Sequence, residues 1–381
     1  MSTKKVIIIY RYIPHYRKKF YELLKLNLMK SEINLEIIYG NPGAFDSKKN
    51  DSVELSWGIK IKNYIFPLGN REIYWQPVLT KISKADLIIV EQASKLLINY
   101  ILIFLNFIKW KKVAFWGHGK NFQQEKSNIF GEWIKKKLST KVHWWFAYND
   151  LSASIVKTIG FPHEKITSVQ NSIDQNIILN KINTITPKEI NLVKAELNLI
   201  GKNIGLYVGG MYYEKKIQFL LESCKIIKEY IPEFEMLFIG DGVDSDLVND
   251  FAKRNNWVHY LGTKFGEDLV PYYLISHVFM MPGLVGLSLI DCFTVQLPLV
   301  TMKNNNHSPE IDYLENNING LIIDETDDPK IYSSAVIKVL LDSDLRKKLK
   351  KGCENSSKIY SIDEMVDRFS QGIIKALKTD F

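Results

Sequence analysis

Short, continuous apolar runs recur along the whole sequence and alternate with segments of helical periodicity. Residues 5–10, 86–90, 204–208 and 236–239 are such runs. A run without apolar-polar alternation is typical of a strand that is buried on both faces, as in the centre of a parallel sheet. Strands that alternate with helices in this way predict an α/β fold, with a doubly wound parallel sheet in each half of the chain.

The chain has 381 residues, which exceeds the usual size of one hydrophobic core, so we expect two domains. A polar, weakly patterned segment interrupts the strand-helix alternation before it restarts in the second half. We predict an N-terminal domain over residues 1–180, a linker over 181–200 and a C-terminal domain over 201–360. A last helix over 361–381 is expected to pack back on the first domain.

The stretch from residue 276 to 301 combines a short buried strand, a glycine-containing turn and a helix. In this arrangement the backbone amides of Gly286, Leu287 and Ser288 are free donors of the first helical turn, and the helix dipole strengthens their attraction for anions. We predict that they bind the diphosphate of a nucleotide, while Asp291 accepts hydrogen bonds from ribose hydroxyls. The alternative is a turn that only links a strand to a helix, since short glycine motifs also occur by chance.

His118 lies between Gly117 and Gly119 at the end of another predicted strand. A single histidine is more often structural. However, flanking glycines let a backbone approach a ligand closely, and α/β sheets place their sites at the carboxyl ends of strands. We therefore favour a functional role for His118.

The charge of the chain is uneven. The net charge is +8, but residues 1–187 hold 28 Lys and Arg against 14 Asp and Glu, whereas residues 188–381 hold 22 against 28. A basic first half attracts anionic surfaces. Its basic residues are scattered and accompany no recognisable nucleic-acid module, so we expect no nucleic-acid partner and favour an anionic membrane surface or a lipid diphosphate.

Residues 96–110 are almost entirely apolar, but a bilayer span needs about 20 apolar residues. We interpret the segment as a buried helix in the outer layer of a sheet. The alternative is an interfacial helix whose flanking lysines contact lipid headgroups.

Cellular context follows from the cysteines and the N-terminus. Cys224, Cys292 and Cys353 are far apart and have neither disulfide-frame nor metal-ligand spacing, which indicates reduced residues. Residues 1–5 run directly into a strand and leave no room for a signal peptide. We expect a cytoplasmic protein, peripheral on the inner face of the cell membrane.

Several stretches, in sequential order over nearly the whole chain, resemble glycosyltransferase family 4, the retaining nucleotide-sugar transferases of the GT-B fold. Residues 116–119 resemble the family's histidine motif, and residues 169–174 resemble the segment that closes its N-domain. Residues 207–216 resemble the strand and phosphate-binding loop that open the C-domain, and residues 282–298 resemble the donor-binding region. The resemblance implies a GT-B fold, in which two doubly wound Rossmann-like domains face each other across a cleft.

The resemblance also implies roles for individual residues. The predicted catalytic residues are His118 and Lys215, which the resemblance implies, and Glu310, which is predicted from its place after the next strand. From the resemblance and from the strand, turn and helix pattern together, the predicted donor-binding residues are Gly209, Gly210, Lys215, Gly283, Gly286, Leu287, Ser288, Asp291 and His307. The implied acceptor-binding residues, in a basic and aromatic loop after the first strand, are Arg11, His15, Tyr16 and Arg17.

Three positions depart from the family pattern. Gly210 stands where an arginine usually follows the glycine of the phosphate loop, so Lys215 lacks its usual partner. Gly283 stands where the first of two glutamates, eight positions apart, normally contacts the donor sugar, and Asp291 takes the place of the second. His307 and Glu310 are expected to compensate, because they follow the next strand.

The resemblance implies a metal-independent transfer with retention, in which Lys215 and backbone amides stabilise the leaving diphosphate. We expect no metal and no cofactor apart from the nucleotide-sugar donor. The sequence Asp244-Ser245-Asp246 is similar to the D-x-D signature of metal-dependent transferases of another fold, and we expect it to cap a helix instead. The expected acceptor is a glycan or a polyprenyl-diphosphate-linked saccharide in envelope polysaccharide synthesis.

Two other functions stay open at this point. A non-hydrolysing sugar-nucleotide epimerase of the same architecture would convert a free sugar nucleotide without any acceptor. A non-catalytic sugar-nucleotide-binding protein is compatible with Gly210 and Gly283, and donor hydrolysis or transfer would exclude it.

Overall fold

The computed structural model describes residues 3–47, 51–69, 71–119, 138–199 and 201–381. The chain divides into two compact units. The first comprises Met1–Asp174 together with Ile362–Phe381, and the second comprises Gln175–Ser361.

The first unit is built on a seven-stranded sheet with the strand order β11-β10-β9-β8-β1-β3-β5, in which every pairing is parallel. Two small antiparallel pairs, β2 with β4 and β6 with β7, lie beside it. The strands are β1 Lys4–Tyr10, β2 Ile13–Pro14, β3 Ile33–Tyr39, β4 Ser52–Val53, β5 Ile59–Lys60, β6 Tyr64–Leu68, β7 Arg71–Trp75, β8 Leu87–Glu91, β9 Lys112–Gly117, β10 Trp144–Ala147 and β11 Ile166–Ser168.

Helices cover both faces of this sheet, which explains the continuous apolar runs in the sequence. Along β1, Val6 and Ile8 belong to one buried cluster, and Ile7 and Ile9 belong to a second cluster on the opposite face. Alternate residues of a strand point to opposite faces, so a strand covered on both sides must be apolar throughout. The α-helices described in this unit are His15–Met29, Ala44–Ser47, Leu97–Phe107, Asp150–Thr158 and Ile362–Lys378.

The C-terminal helix, Ile362–Lys378, completes the core of the first unit. Phe369 stacks on Phe146 of β10 with a centroid separation of 4.3 Å. A Cβ atom at Gly372 would lie 2.6 Å from the Thr167 hydroxyl oxygen, so this helix approaches β11 closely. The His143 ring contacts the carbonyl oxygen of Ala376 at 2.9 Å.

The second unit is built on a six-stranded sheet with the strand order β14-β13-β12-β15-β16-β17, again with parallel pairings throughout. The strands are β12 Asn203–Val208, β13 Phe234–Ile239, β14 Val258–Tyr260, β15 Val278–Met280, β16 Leu299–Met302 and β17 Gly320–Ile323. The α-helices are Asn176–Thr184, Pro187–Glu196, Ile217–Tyr230, Ser245–Arg254, Val270–Ile275, Ser288–Thr294, Pro329–Leu341 and Ser343–Ile359. Cys224, Cys292 and Cys353 are free and buried within it.

The predicted linker over residues 181–200 is corrected by the structure. Most of this segment is helical and belongs to the second unit. The helix Pro187–Glu196 begins with a capping box, in which Thr186 and Glu189 each bond the backbone amide of the other, and with a proline in its first turn. These features stabilise the start of a helix although the segment carries few apolar residues.

The helix Leu97–Phe107 occupies the apolar segment 96–110. The expectation that it is buried holds for only one face, since Ile98 and Leu102 are fully buried whereas Phe104 and Phe107 are exposed. Among the described residues, no helix is long and apolar enough to cross a membrane.

Candidate functional site

The predicted donor-binding residues lie at the topological switch point of the second sheet, between β12 and β15, where the order of the strands reverses. From β12 the chain continues to β13 and β14 on one side, and then to β15, β16 and β17 on the other. The loops that follow the neighbouring strands β12 and β15 therefore diverge and leave a crevice at their carboxyl ends, where open α/β sheets bind ligands. Gly209 and Gly210 follow β12, and Gly283 and Gly286 follow β15.

Close backbone packing fixes the loop after β12. Gly209 donates its amide to Ile239 at 3.0 Å, and Met211 donates to Asp241 at 2.8 Å. Gly240 has φ 138°, and a Cβ atom there would lie 1.9 Å from the Gly209 carbonyl oxygen. Only glycine permits this approach, so the loops after β12 and β13 support each other.

Lys215 is a buried cation at this edge. It ends the short 3₁₀ turn Tyr213–Lys215 and is 8% exposed. Its ammonium group donates a hydrogen bond to the Leu284 carbonyl oxygen and lies 3.8 Å from the Met281 sulfur. Burial lowers the pKa of Lys215 to about 8, because the charged form loses solvation. An anion at this place would restore favourable electrostatics for the ammonium group.

Gly283 lies against the turn that carries Lys215. A Cβ atom at position 283 would come within 2.3 Å of the Glu214 carbonyl oxygen and 2.5 Å of the Lys215 Cα. Leu284 also donates its amide to the Glu214 carbonyl oxygen at 3.0 Å. Position 283 therefore contributes backbone packing here, and it has no room for the carboxylate that the family pattern places there.

His307 holds the turn after β15 in place. Its Nδ1 accepts a hydrogen bond from the Val285 amide at 3.0 Å, so Nε2 carries the proton and donates to the Met302 carbonyl oxygen at 2.8 Å. Burial lowers the pKa of His307, which favours this neutral form. The prediction that His307 contacts the donor directly is corrected, because backbone groups already occupy both ring nitrogens.

The three predicted anion-binding amides are available. Within the residues that the structure describes, the amides of Gly286, Leu287 and Ser288 donate to no protein acceptor. They precede or begin the helix Ser288–Thr294, whose first turn continues with the bonds from Leu289 to Gly286 at 3.1 Å and from Ile290 to Leu287 at 3.0 Å. Such amides attract a negatively charged group.

Asp291 lies one turn into the same helix and is only partly accessible. Desolvation raises the pKa of its carboxyl group to about 7, while the neighbouring hydroxyl of the buried Tyr273 acts in the opposite direction. A carboxylate held in this way gains from hydrogen-bond donors such as ribose hydroxyls. Glu310, in the turn Pro309–Tyr313, is 4% exposed.

His118 follows β9 in the first unit. Its ring packs edge-on against Tyr148, with centroids 4.0 Å apart. Burial lowers the pKa of His118 to about 4; the Glu91 carboxylate acts against this shift and the Arg17 guanidinium adds to it. His118 is therefore neutral at physiological pH. Its flanking glycines serve packing, since a Cβ atom at Gly117 would lie 2.8 Å from the Gln92 side chain.

Arg11 lies at the equivalent topological switch point of the first sheet, between β1 and β8. Its guanidinium forms a bidentate pair with Glu91, at 2.8 and 2.9 Å, and also pairs with Asp46 at 2.5 Å. Glu91 was not among the predicted residues, although its position at the end of β8 was a signal that could have found it.

The prediction that Arg17 contacts an acceptor is contradicted. Arg17 is 1% exposed, donates to the Asn171 side chain, and lies 4.9 Å from the Trp116 ring centroid. A helix of this length must bury one face, and Arg17 falls on that face. His15 is exposed and Tyr16 is partly exposed, so both remain available to a ligand.

The described residues contain no group of three or more His, Cys, Asp and Glu side chains that could hold a metal ion. Asp244 stands at the N-cap position of the helix Ser245–Arg254, as expected, but its side chain makes no capping hydrogen bond. Asp246 lies in the first turn of that helix, where a negative charge favours the dipole.

The chain is similar to several known proteins. Residues 191–355 match the family model described as Glycosyl transferases group 1. The chain is 28% identical over 172 residues to spore coat protein SA from Bacillus subtilis, covering 42% of this chain and 45% of that protein. It is 24% identical over 172 residues to the O-antigen chain mannosyltransferase B from Escherichia coli, covering 43% and 44%. The chain thus spans less than half of the length of these relatives.

The whole chain also resembles solved structures. The structure of HepE from Anabaena in complex with UDP superposes with a TM-score of 0.70 at 13% identity, over 97% of this chain and 99% of that chain. With the two parallel sheets, this likeness shows a GT-B fold with two Rossmann-like domains, as predicted.

Proposed function

We propose that this protein, whose second unit matches glycosyl transferases group 1, transfers a sugar from a nucleotide-sugar donor to a saccharide acceptor. One observation carries the proposal. Lys215 follows β12, and the free amides of Gly286, Leu287 and Ser288 follow β15. The topological switch point of the second sheet lies between these two strands. This is where an α/β sheet binds a nucleotide.

The proposed chemistry is stabilisation of the leaving diphosphate. The Lys215 ammonium group and the amides at the start of the helix Ser288–Thr294 supply positive charge without a metal. Groups fixed in advance within the fold stabilise developing charge efficiently, because they need no reorganisation during the reaction. The Asp291 carboxylate binds the ribose, and the transfer proceeds with retention at the anomeric carbon.

The acceptor is proposed to bind the first unit, where exposed His15 and partly exposed Tyr16 begin the helix after β2. The neutral His118 ring, which follows β9 in the same unit, is proposed to be catalytic. The name of the relative from Escherichia coli, a mannosyltransferase that acts on the O-antigen chain, supports a role in envelope polysaccharide synthesis.

A panel of nucleotide sugars tests the proposal. With one of them we expect release of the nucleoside diphosphate, and Lys215→Met should slow this release by about tenfold or more, as for the loss of a group that stabilises the transition state. Proton NMR of the product from an α-linked donor should show the α anomer. Conversion of the sugar nucleotide without release of the diphosphate would replace transfer by epimerisation.

Chelation tests the metal-independent part separately. Turnover is expected to be unchanged in EDTA. A loss of turnover that manganese restores would show that the reaction requires a metal, and Asp244→Asn and Asp246→Asn would then test whether these two carboxylates hold it.

A further inference from the structure

The outer face of the helix Leu97–Phe107 carries a continuous apolar stripe. The opposite, buried side of the helix faces the sheet through Ile98, Leu102 and Leu105, among others. The outer side exposes apolar side chains at helical spacing, so they lie on one face. We call the following residues the apolar stripe: Leu97 (38% exposed), Tyr100 (44%), Phe104 (59%), Phe107 (71%), Ile108 (50%) and Trp110 (58%).

A tight turn adds Trp110 to the end of the stripe. Lys109 takes the left-handed conformation with φ 56°, and the amides of Trp110 and Lys111 both donate to the Leu105 carbonyl oxygen, at 3.0 and 3.3 Å. The chain therefore turns back at the end of the helix and leaves the Trp110 indole in solvent. Tryptophan and tyrosine prefer the boundary between water and hydrocarbon, since each combines an apolar ring with a polar group.

Lysines surround the Trp110 end of the stripe. Lys111 donates to the carbonyl oxygens of Ser83 and Ala85, which places exposed Lys84 beside it, and Asn106 donates to the Lys141 carbonyl oxygen at 3.2 Å. Lys109 and Lys141 are themselves exposed. The sequence from residue 96 to 112 contains no Asp or Glu.

The nearby acid does not cancel this charge. Asp86 pairs with Lys4 at 2.9 Å and accepts a hydrogen bond from the Lys5 amide at 2.8 Å. Partial burial acts to raise the pKa of Asp86, but the hydrogen bonds from the Lys5 amide and the Lys4 ammonium group, together with the charges of Lys4 and Lys111, hold it below its ordinary value. The Trp110 end of the stripe therefore presents a surplus of positive charge.

We propose that the apolar stripe is a docking surface for an anionic lipid leaflet. The helix satisfies its own backbone hydrogen bonds, so its exposed face can enter the acyl boundary without leaving amides unpaired. Phe104, Phe107 and Ile108 would enter the acyl region, while Trp110 and the lysines Lys84, Lys109 and Lys141 would meet the headgroups.

The charges disfavour a second copy of the chain as the occupant. If two stripes packed on each other, the lysines of one copy would face a helix that has Lys95 before it, lysines after it and no acidic residue within residues 96–112. Such a contact would bring like charges together. An anionic leaflet provides the opposite charge and an apolar layer in the same surface.

Vesicle sedimentation tests the proposal. The full chain should sediment with vesicles of phosphatidylcholine and phosphatidylglycerol, and much less with phosphatidylcholine alone. The double substitution Phe107→Ser with Ile108→Ser should lower the partition coefficient about tenfold or more, because it removes much of the apolar side-chain surface that would leave water. The control is Phe265→Ser, which removes an aromatic side chain that is 74% exposed in the second unit.

Charge reversal tests the electrostatic part. Lys109→Glu with Lys141→Glu should weaken binding to the anionic vesicles. Lys347→Glu with Lys348→Glu, two exposed positions on the helix Ser343–Ile359 of the second unit, should leave it nearly unchanged. Thermal melts confirm that each variant is folded. Equal sedimentation of the Phe107→Ser, Ile108→Ser variant and the Phe265→Ser control would overturn the proposal. So would a dimer in analytical ultracentrifugation that dissociates in the stripe variant, since a second copy would then cover the stripe.

Discussion

The backbone of Gly283 rests on the backbone of Lys215: a Cβ atom at position 283 would lie 2.5 Å from the Lys215 Cα. Residue 283 and the turn Tyr213–Lys215 are therefore coupled, although they follow different strands. The glycine at this position allows the turn after β15 to support the cation that we assign to the donor diphosphate.

Introducing the family's glutamate at this position is expected to impair the protein. In Gly283→Glu the new side chain must displace the turn that carries Lys215, and overpacking of this kind costs about 1–3 kcal/mol. We expect a lower melting temperature and weaker nucleotide binding, measured by calorimetry. Gly210→Ala is a control for the melting temperature alone, because position 210 is itself a predicted donor-binding residue; a Cβ atom there would lie no closer than 3.0 Å to its nearest neighbour, the Tyr212 ring. Improved donor binding by Gly283→Glu would contradict this account.

Asp291 should make the protein less stable as the pH rises. Its pKa is about 7 in the fold against the ordinary value of 3.8, so the folded state binds more protons than the unfolded state between these two values. Stability should therefore fall as the pH increases from about 4 to about 7, by an amount on the order of 1–3 kcal/mol. Asp291→Asn has no charge to desolvate and should lack this part of the pH dependence. Urea unfolding of both proteins at pH 4, 5.5 and 7 measures the difference. If the free energies of unfolding of the two proteins changed with pH in parallel, Asp291 would have an ordinary, solvated carboxyl group.

Lys215 should make nucleotide binding weaker as the pH rises above neutrality. With its pKa lowered to about 8, the ammonium group loses its proton as the pH rises through this value, and the attraction for a diphosphate is lost with it. Affinity measured by calorimetry should fall between pH 7 and pH 9. An arginine stays protonated throughout, so the affinity of Lys215→Arg, although lower at pH 7 because of its larger side chain, should be constant. A similar decline in both proteins would point to another group.

His307 should influence binding without touching the ligand. In His307→Ala the Val285 amide and the Met302 carbonyl oxygen lose their ring partners, and unsatisfied buried groups cost about 1–3 kcal/mol each. We expect a lower melting temperature and, because the turn before Gly286 loosens, weaker nucleotide binding. His307→Asn, which can restore part of the bonding, should be intermediate. Unchanged nucleotide affinity in a destabilised His307→Ala would limit His307 to the scaffold.

The strands could be predicted from the sequence, and so could the strand ends near which the candidate donor-binding residues lie. Short, continuous apolar runs identify the central strands because they are too short for helices, whereas the longer apolar segment 96–110 is helical. A site in a doubly wound sheet is then expected at the carboxyl ends of the strands. The helix Pro187–Glu196 was also accessible, since Thr186, Pro187 and Glu189 form a local capping signal. The linker was predicted because the segment is polar, whereas its capping residues indicate a helix.

Tertiary packing could not be predicted from the sequence. Arg17 looks like a surface residue in a basic loop, but it is enclosed by Trp116, Tyr148 and Asn171, which come from distant parts of the sequence. Gly283 could not be recognised as a packing glycine, because its neighbour Lys215 is far away along the chain. Local patterns contain no information about such pairs.

Nucleotide titration into Lys215 variants tests the central claim most directly. UDP, GDP, ADP and TDP are titrated into the wild type, into Lys215→Met and into the matched control Lys216→Met. Lys216 neighbours Lys215 in sequence, but its side chain is partly exposed and pairs with Glu325 at 3.5 Å. We predict that one nucleotide binds the wild type and Lys216→Met alike and binds Lys215→Met about tenfold or more weakly, the loss of a charge-assisted bond of about 1.5–3 kcal/mol. Equal binding to all three proteins, or binding of none of the nucleotides, would contradict a nucleotide-sugar site at the topological switch point of the second sheet.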